Sequence, residues 1–246
     1  MHADSRLPFS GQTAVHRQLP QLLDRHSRTL FRKPFADYNR VAFADSFERY
    51  QRRAGAARLI LDSGCGVGES SIALAMAFPD CYVIGVDQSA LRLARARRGA
   101  ADWPGNVDLV RADLVDYWRL LLAAGGRLER HYLLYPNPWP KSCHVGRRWH
   151  GHAVFPTLLA LGGLLECRSN WPLYIAEMCF AIESLRGRTV ACERYLPTAA
   201  LTPFERKYLA SGHELWRCRV DLGRHQRVCS WPTPGAPGDR PEASRR

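Results

Sequence analysis

Asp62-Ser63-Gly64-Cys65-Gly66-Val67-Gly68 sets a carboxylate before three glycines at alternate positions, directly after the apolar run Leu59-Ile60-Leu61. Glycine allows a tight turn and a close approach to the main chain, and a carboxylate accepts two donors at once. The chemistry is that of a turn that lets a ligand come close to the main chain. Asp87 ends the next apolar run 25 residues on, and Asp113 follows the third. Each acid alone reads as a helix cap, Asp113 above all. Together, at the ends of consecutive runs, the three favour a bound cofactor.

A second group begins at Tyr135-Pro136-Asn137-Pro138-Trp139-Pro140-Lys141 and runs through His144 to Arg147-Arg148. Three prolines in five residues fix φ repeatedly, so the loop is stiff and can hold Asn137 and Trp139 in place. Lys141 and Arg148 are expected to bind phosphate, and Trp139 offers either a stacking face or ordinary loop packing. His144, His150 and His152 in this Arg-rich stretch read as solvated or phosphate-facing, and no metal site is expected.

The elements that carry these groups alternate. Strands are expected at 58–62, 81–86, 107–111, 131–135, 164–168, 188–194 and 214–222, with helices at 68–78, 87–99, 116–124, 153–161 and 171–185. Such alternation predicts an α/β fold, a doubly wound, mostly parallel sheet whose ligands lie beyond the carboxyl ends of the strands. Residues 1–40 lack steady periodicity and read as a flexible basic arm, 41–230 as the folded domain, and 231–246, rich in Pro and Gly, as a disordered tail.

The 246 residues carry a net charge of +12, with 46% hydrophobic and 24% charged residues, enough apolar material for one sizeable core. Residues 1–58 hold eleven Lys/Arg against five Asp/Glu, half the excess, and only Lys33, Lys141 and Lys207 are lysines. A polyanion such as nucleic acid is the physical expectation, since neutralising phosphates releases counterions. No apolar run suffices for a membrane span and the start lacks a secretory layout, so a cytoplasmic protein is expected. Eight cysteines without a C-x-x-C pair read as reduced, mostly buried thiols.

The G-x-G-x-G spacing with Asp62 and Asp87 resembles the S-adenosylmethionine site of Rossmann-like class I methyltransferases. The proline loop resembles that of the tRNA (guanine-N7)-methyltransferase family, Phe-Pro-Asp-Pro-Trp-Pro-Lys followed by His and an Arg pair. Ser169-Asn170-Trp171 resembles that family's Thr-Asp-Trp, and Thr202-Pro203-Phe204-Glu205 its Thr-x-x-Glu. The resemblance spans about Arg58 to Val220. It implies methyl transfer from S-adenosylmethionine to N7 of a guanine in the tRNA variable loop. It also implies Asp62, Gly64, Gly66, Gly68, Asp87, Asp113 and Asn137 at the cofactor, with Asn137 in the catalytic position, and Lys141, Arg148, Asn170, Thr202 and Glu205 at the nucleotide. Asn137 and Asn170 depart from the family's Asp, and Asp62 replaces the Glu of many members. N7 has a free lone pair, so transfer needs alignment rather than a base. Without a charge at Asn137, Glu205 is the expected carboxylate for the guanine edge, and activity is expected to be retained but weakened. Two rival readings are a methyltransferase for exocyclic amines, whose Asn-Pro-Pro-aromatic loop Asn137-Pro138-Trp139-Pro140 superficially resembles, and a non-catalytic RNA-binding relative.

Overall fold

The computed structural model describes residues 5–54, 58–97 and 103–223. The expected tail at 231–246 lies outside them. Seven strands, β1 (Arg58–Ser63), β2 (Cys81–Asp87), β3 (Val107–Arg111), β4 (Arg130–Leu134), β5 (Leu164–Ser169), β6 (Cys192–Tyr195) and β7 (Leu215–Asp221), form one sheet in the order β3-β2-β1-β4-β5-β7-β6. β1 to β5 pair in parallel, while β7 runs antiparallel between β5 and β6. β2 is buried along its whole length and β1 from its second residue onward, as expected of central strands covered on both faces.

Helices α3 (Glu69–Ala77), α4 (Ala90–Arg97) and α5 (Leu114–Ala123) link the first four strands, with α6 (Phe155–Ala160) and α7 (Pro172–Arg186) flanking β5. The order turns at β1, whose neighbours are β2 and β4, so the loops after β1 and β4 border the crevice at the switch. Among the described residues, no helix is long and apolar enough to cross a membrane.

Three sequence expectations are corrected. The stretch read as a flexible arm contains α1 (Leu19–Arg28) and leads into α2 (Asp37–Ala54). Leu19 and Leu23 are buried in the core, and Asp116 on α5 accepts from Asn39 Nδ2 (2.7 Å) and the Ala36 N–H (3.1 Å). α1 escaped notice because only two of its side chains are buried in an otherwise polar sequence. The strand expected from 188 begins only at Cys192, and just before it the Val190 N–H is taken by the Glu183 side chain (2.9 Å) instead of a neighbouring strand. Residues 203–210, given no element from sequence, form α8 (Pro203–Ala210), with Thr202 accepting from the Glu205 N–H at its start (3.0 Å). Of the cysteines described, Cys143 and Cys192 are exposed and the other five buried, all free thiols, while Cys229 lies outside the described residues.

Candidate functional site

The turn after β1 is built on left-handed glycines, with φ +83° at Gly64, +61° at Gly66 and +78° at Gly68. They do different work. Nothing lies within 4 Å of where a Cβ would stand at Gly64 or Gly66, so the main chain there faces open space. At Gly68 the same atom would stand 2.4 Å from Leu109 Cδ1, so this glycine lets α3 pack against β3. The Gly64 and Cys65 N–H groups both donate to the Val86 carbonyl (2.8 and 3.1 Å), stitching the turn to β2.

Asp62 and Asp87 hold this turn from two strands. Asp62 is buried, and its Oδ2 accepts from Ser70 Oγ (2.6 Å) and Ser71 Oγ (2.7 Å) on α3. Burial raises its carboxyl above the usual range, the serine hydroxyls offsetting only part of that. Asp87 closes β2, accepting from the Gly66 N–H on Oδ2 (3.0 Å) and the Ser89 N–H on Oδ1 (2.8 Å), with Arg92 3.6 Å away. Asp113 caps α5, its Oδ1 accepting from the Val115 N–H (2.8 Å).

Across the crevice, β4 runs into the proline loop. Tyr135 (φ +54°) and Trp139 (φ +45°) both adopt left-handed backbone that costs a side-chain-bearing residue about 1–2 kcal/mol. Surroundings must impose such a shape, and they do so at both ends. Tyr135 donates to Glu205 Oε1 (2.7 Å), which also takes Arg168 Nη1 (2.9 Å), and burial together with that carboxylate raises the phenol. At the far end Arg148 donates from Nε to the Trp139 carbonyl (3.2 Å) and from Nη2 to the Pro140 carbonyl (3.4 Å). Asn137 stands exposed between these anchors, its Oδ1 accepting from the Trp139 N–H (3.3 Å). Lys141 and Arg147 are exposed too, and the Arg147 guanidinium lies 5.0 Å from the centre of the Trp139 ring.

Arg148, expected at phosphate, is instead wholly buried, bonded to Glu177 Oε2 (2.5 Å) and resting on the Trp171 ring. Its neighbour Arg147 is the exposed cation, because the 3-10 turn Ser142–Arg147 ends between them and they face opposite ways. Glu205, expected at the guanine edge, is also wholly buried, with Oε2 taking the Leu201 N–H (2.6 Å) and Oε1 the two donors above, so no oxygen is offered to a base. His150, read as solvated, is buried against Glu177 (2.9 Å), and His144 sits edge-on to Trp139. Asn170 and Thr202 are both buried, Asn170 donating to His213 Nδ1 (3.2 Å) and Thr202 capping α8. The residues that sequence reasoning missed are Gln12, His16 and Glu177 behind the loop and Tyr135 and Arg168 at its root. No local motif marks them, since each acts on a partner distant in the chain.

Comparison with known proteins agrees with this geometry. The Methyltransf_4 methyltransferase profile matches residues 56–218. A tRNA (guanine-N(7)-)-methyltransferase of Anaeromyxobacter dehalogenans is 33% identical over 174 residues, covering 66% of this chain and 85% of that protein. One from Thiobacillus denitrificans is 27% identical over 164 residues, covering 64% and 72%. Among solved structures, the 16S rRNA methyltransferase KamB aligns with a TM-score of 0.52 at 17% identity over 77% of this chain and 94% of its own. An antibiotic-related methyltransferase aligns at 0.51 and 15% identity over 80% and 98%. These likenesses and the strand order make the fold that of the class I, S-adenosylmethionine-dependent methyltransferases. With the glycine turn, the two strand-end carboxylates and the proline loop in the matched order, the chain belongs to the tRNA (guanine-N7)-methyltransferase family.

Proposed function

We propose that the chain transfers a methyl group from S-adenosylmethionine to N7 of a guanine in the variable loop of tRNA. One juxtaposition carries the reading: the open glycine turn after β1 and the exposed Asn137 after β4 border the same switch crevice, with Asp87 bonded to the turn. The residues present fit the cofactor, since Gly64 and Gly66 leave clear the volume that a side chain would fill. Gly64 and Gly66 would lie against its methionine end, Asp87 would accept from the ribose hydroxyls, and Asp113 would border the adenine. Asp62, closed in by two serine hydroxyls, and Gly68, packed on Leu109, would support the turn.

The bound cofactor supplies an electrophilic methyl group on a sulfonium sulfur. The chain has no proton to remove from guanine N7, so its work is alignment and exclusion of water. Asn137 would orient the base by its amide, supplying hydrogen bonds but no full charge against the cationic product. Lys141 and Arg147 would meet backbone phosphates and Trp139 the base face, while Asn170 and Thr202, buried behind the crevice, would support it rather than reach the nucleotide. The net charge of +12 suits a polyanionic partner. A tRNA substrate implies a cytoplasmic location.

The test is incubation of the full chain with an unmodified tRNA transcript and methyl-labelled cofactor, followed by nucleoside analysis. Label in 7-methylguanosine is the expected outcome. Label in an exocyclic amine would favour the amine-methylating alternative, and cofactor binding without transfer would favour a non-catalytic RNA-binding protein.

A further inference from the structure

Glu177 lies in the middle of α7, wholly buried, and its carboxylate takes four donors. Oε1 accepts from Gln12 Nε2 (2.5 Å) and the His16 N–H (2.9 Å), and Oε2 from Arg148 Nη1 (2.5 Å) and His150 Nε2 (2.9 Å). Two donors therefore come from the N-terminal segment and two from the region following the proline loop. Gln12 Oε1 also accepts from Arg148 Nη1 (3.1 Å), which closes the ring of contacts.

These groups converge on the proline loop. The Pro140 carbonyl takes both Arg148 Nη2 and Ser10 Oγ (2.7 Å). His16 Nδ1 accepts from the Gln18 N–H (3.2 Å), so the neutral ring carries its proton on Nε2 and donates it to Ser142 Oγ (2.8 Å). The Trp139 carbonyl held by Arg148 belongs to the left-handed residue two positions after Asn137. A strained loop persists only where its surroundings over-determine it; Glu205 supplies them at the Tyr135 end, and Ser10, His16 and Arg148 at the Trp139 end. Residues 10–16 lie outside the stretch 56–218 that matches the family.

We infer that Ser10, Gln12, His16, Glu177 and Arg148 form a brace that sets the conformation of the Pro136–Lys141 loop, making them positioning residues for the nucleotide acceptor. The kinetic half of this inference rests on the methyl-transfer reading; the conformational half does not. A brace of this kind acts on the acceptor side and leaves the glycine turn alone, which separates it from a general contribution to stability.

The experiment compares the full chain with the double variant Gln12→Ala/His16→Ala and, separately, with Glu177→Gln. Amide hydrogen exchange of a 135–148 peptide is followed alongside S-adenosylmethionine binding and tRNA methylation kinetics. The expected result is loop exchange faster by about tenfold and kcat/KM for tRNA lower by about tenfold, with cofactor Kd changed by less than about twofold. Loop exchange and kcat/KM both within about twofold of the unaltered chain would overturn the brace. So would a loss of cofactor affinity as large as the loss toward tRNA. If Glu177→Gln does not fold, the Gln12→Ala/His16→Ala chain decides. If the unaltered chain methylates no tRNA, the functional reading fails, and loop exchange alone decides the brace.

Discussion

The two loops that border the crevice are held in opposite ways. The glycine turn after β1 is secured by near neighbours: the Val86 carbonyl, Asp87, Ser70 and Ser71, all within about one crossover unit of the chain. The proline loop after β4 depends on Glu205, Glu177, Ser10 and His16, which stand far away in sequence. The turn is open because its glycines lack side chains, whereas the loop is strained and needs buried ions to hold it. A cradle of the first kind is carried by a short motif, and a loop of the second kind is only as rigid as its distant anchors.

The largest expected effect falls on those anchors. Arg148→Ala leaves the Glu177 carboxylate without its buried guanidinium and should cost about 3–5 kcal/mol in urea unfolding, while replacing both by apolar residues of similar size should recover most of it. A loss below about 1 kcal/mol would mean that the pair behaves like a surface ion pair, and the contrast between the loops would lose its basis.

Acid should separate the two regions next. Burial raises the Glu177 carboxyl, but the hydrogen bonds from His150 and Arg148 and the charge of Arg148 outweigh it and hold the group at about 2, below its ordinary 4.5. Its contribution, on the order of 3 kcal/mol, is present above pH 4.5 and lost as the pH falls toward 2. Asp62 goes the other way: its raised carboxyl favours the folded state at low pH and withdraws that contribution as the pH rises through the folded value. Amide exchange across an acid series should therefore loosen the proline loop before the glycine turn.

Within the turn, Gly68→Ala should cost about 2–4 kcal/mol from its left-handed backbone and the clash with Leu109, read as a lower Tm. Gly66→Ala meets only the backbone cost of about 1–2 kcal/mol, so its main effect should be weaker binding of S-adenosylmethionine. Equal effects at both positions would mean that the open face at Gly66 holds no ligand. The smallest change expected is Asn137→Asp, which places a carboxylate near the developing cation and should raise kcat for tRNA by about tenfold or less. Abolished turnover in a folded variant would show that this position does more than tolerate Asn.

How much of the molecule was legible follows the same division. β1 to β5, the glycine turn and the crevice could be read because apolar runs, a strand-end acid and glycine spacing are local signals. Arg147 and Arg148 could not be told apart, since adjacent cations look alike until a 3-10 turn ends between them and one meets Glu177. α1 was missed because a helix with two buried leucines needs a partner surface, here α7, before it can be recognised.

The amino-acid order by itself determined the alternating α/β pattern, the cradle and the identity of the proline loop. These depend on backbone preferences and side-chain periodicity, which neighbouring residues express together. Only the tertiary structure decided which charges are buried, that Glu205 and Arg148 are enclosed by the chain's own donors and acceptors, and that Ser10 and His16 reach the loop and the turn that follows it. A buried charge exists only where distant segments supply its counter-charge, and the energy of that meeting belongs to the folded chain rather than to any one segment.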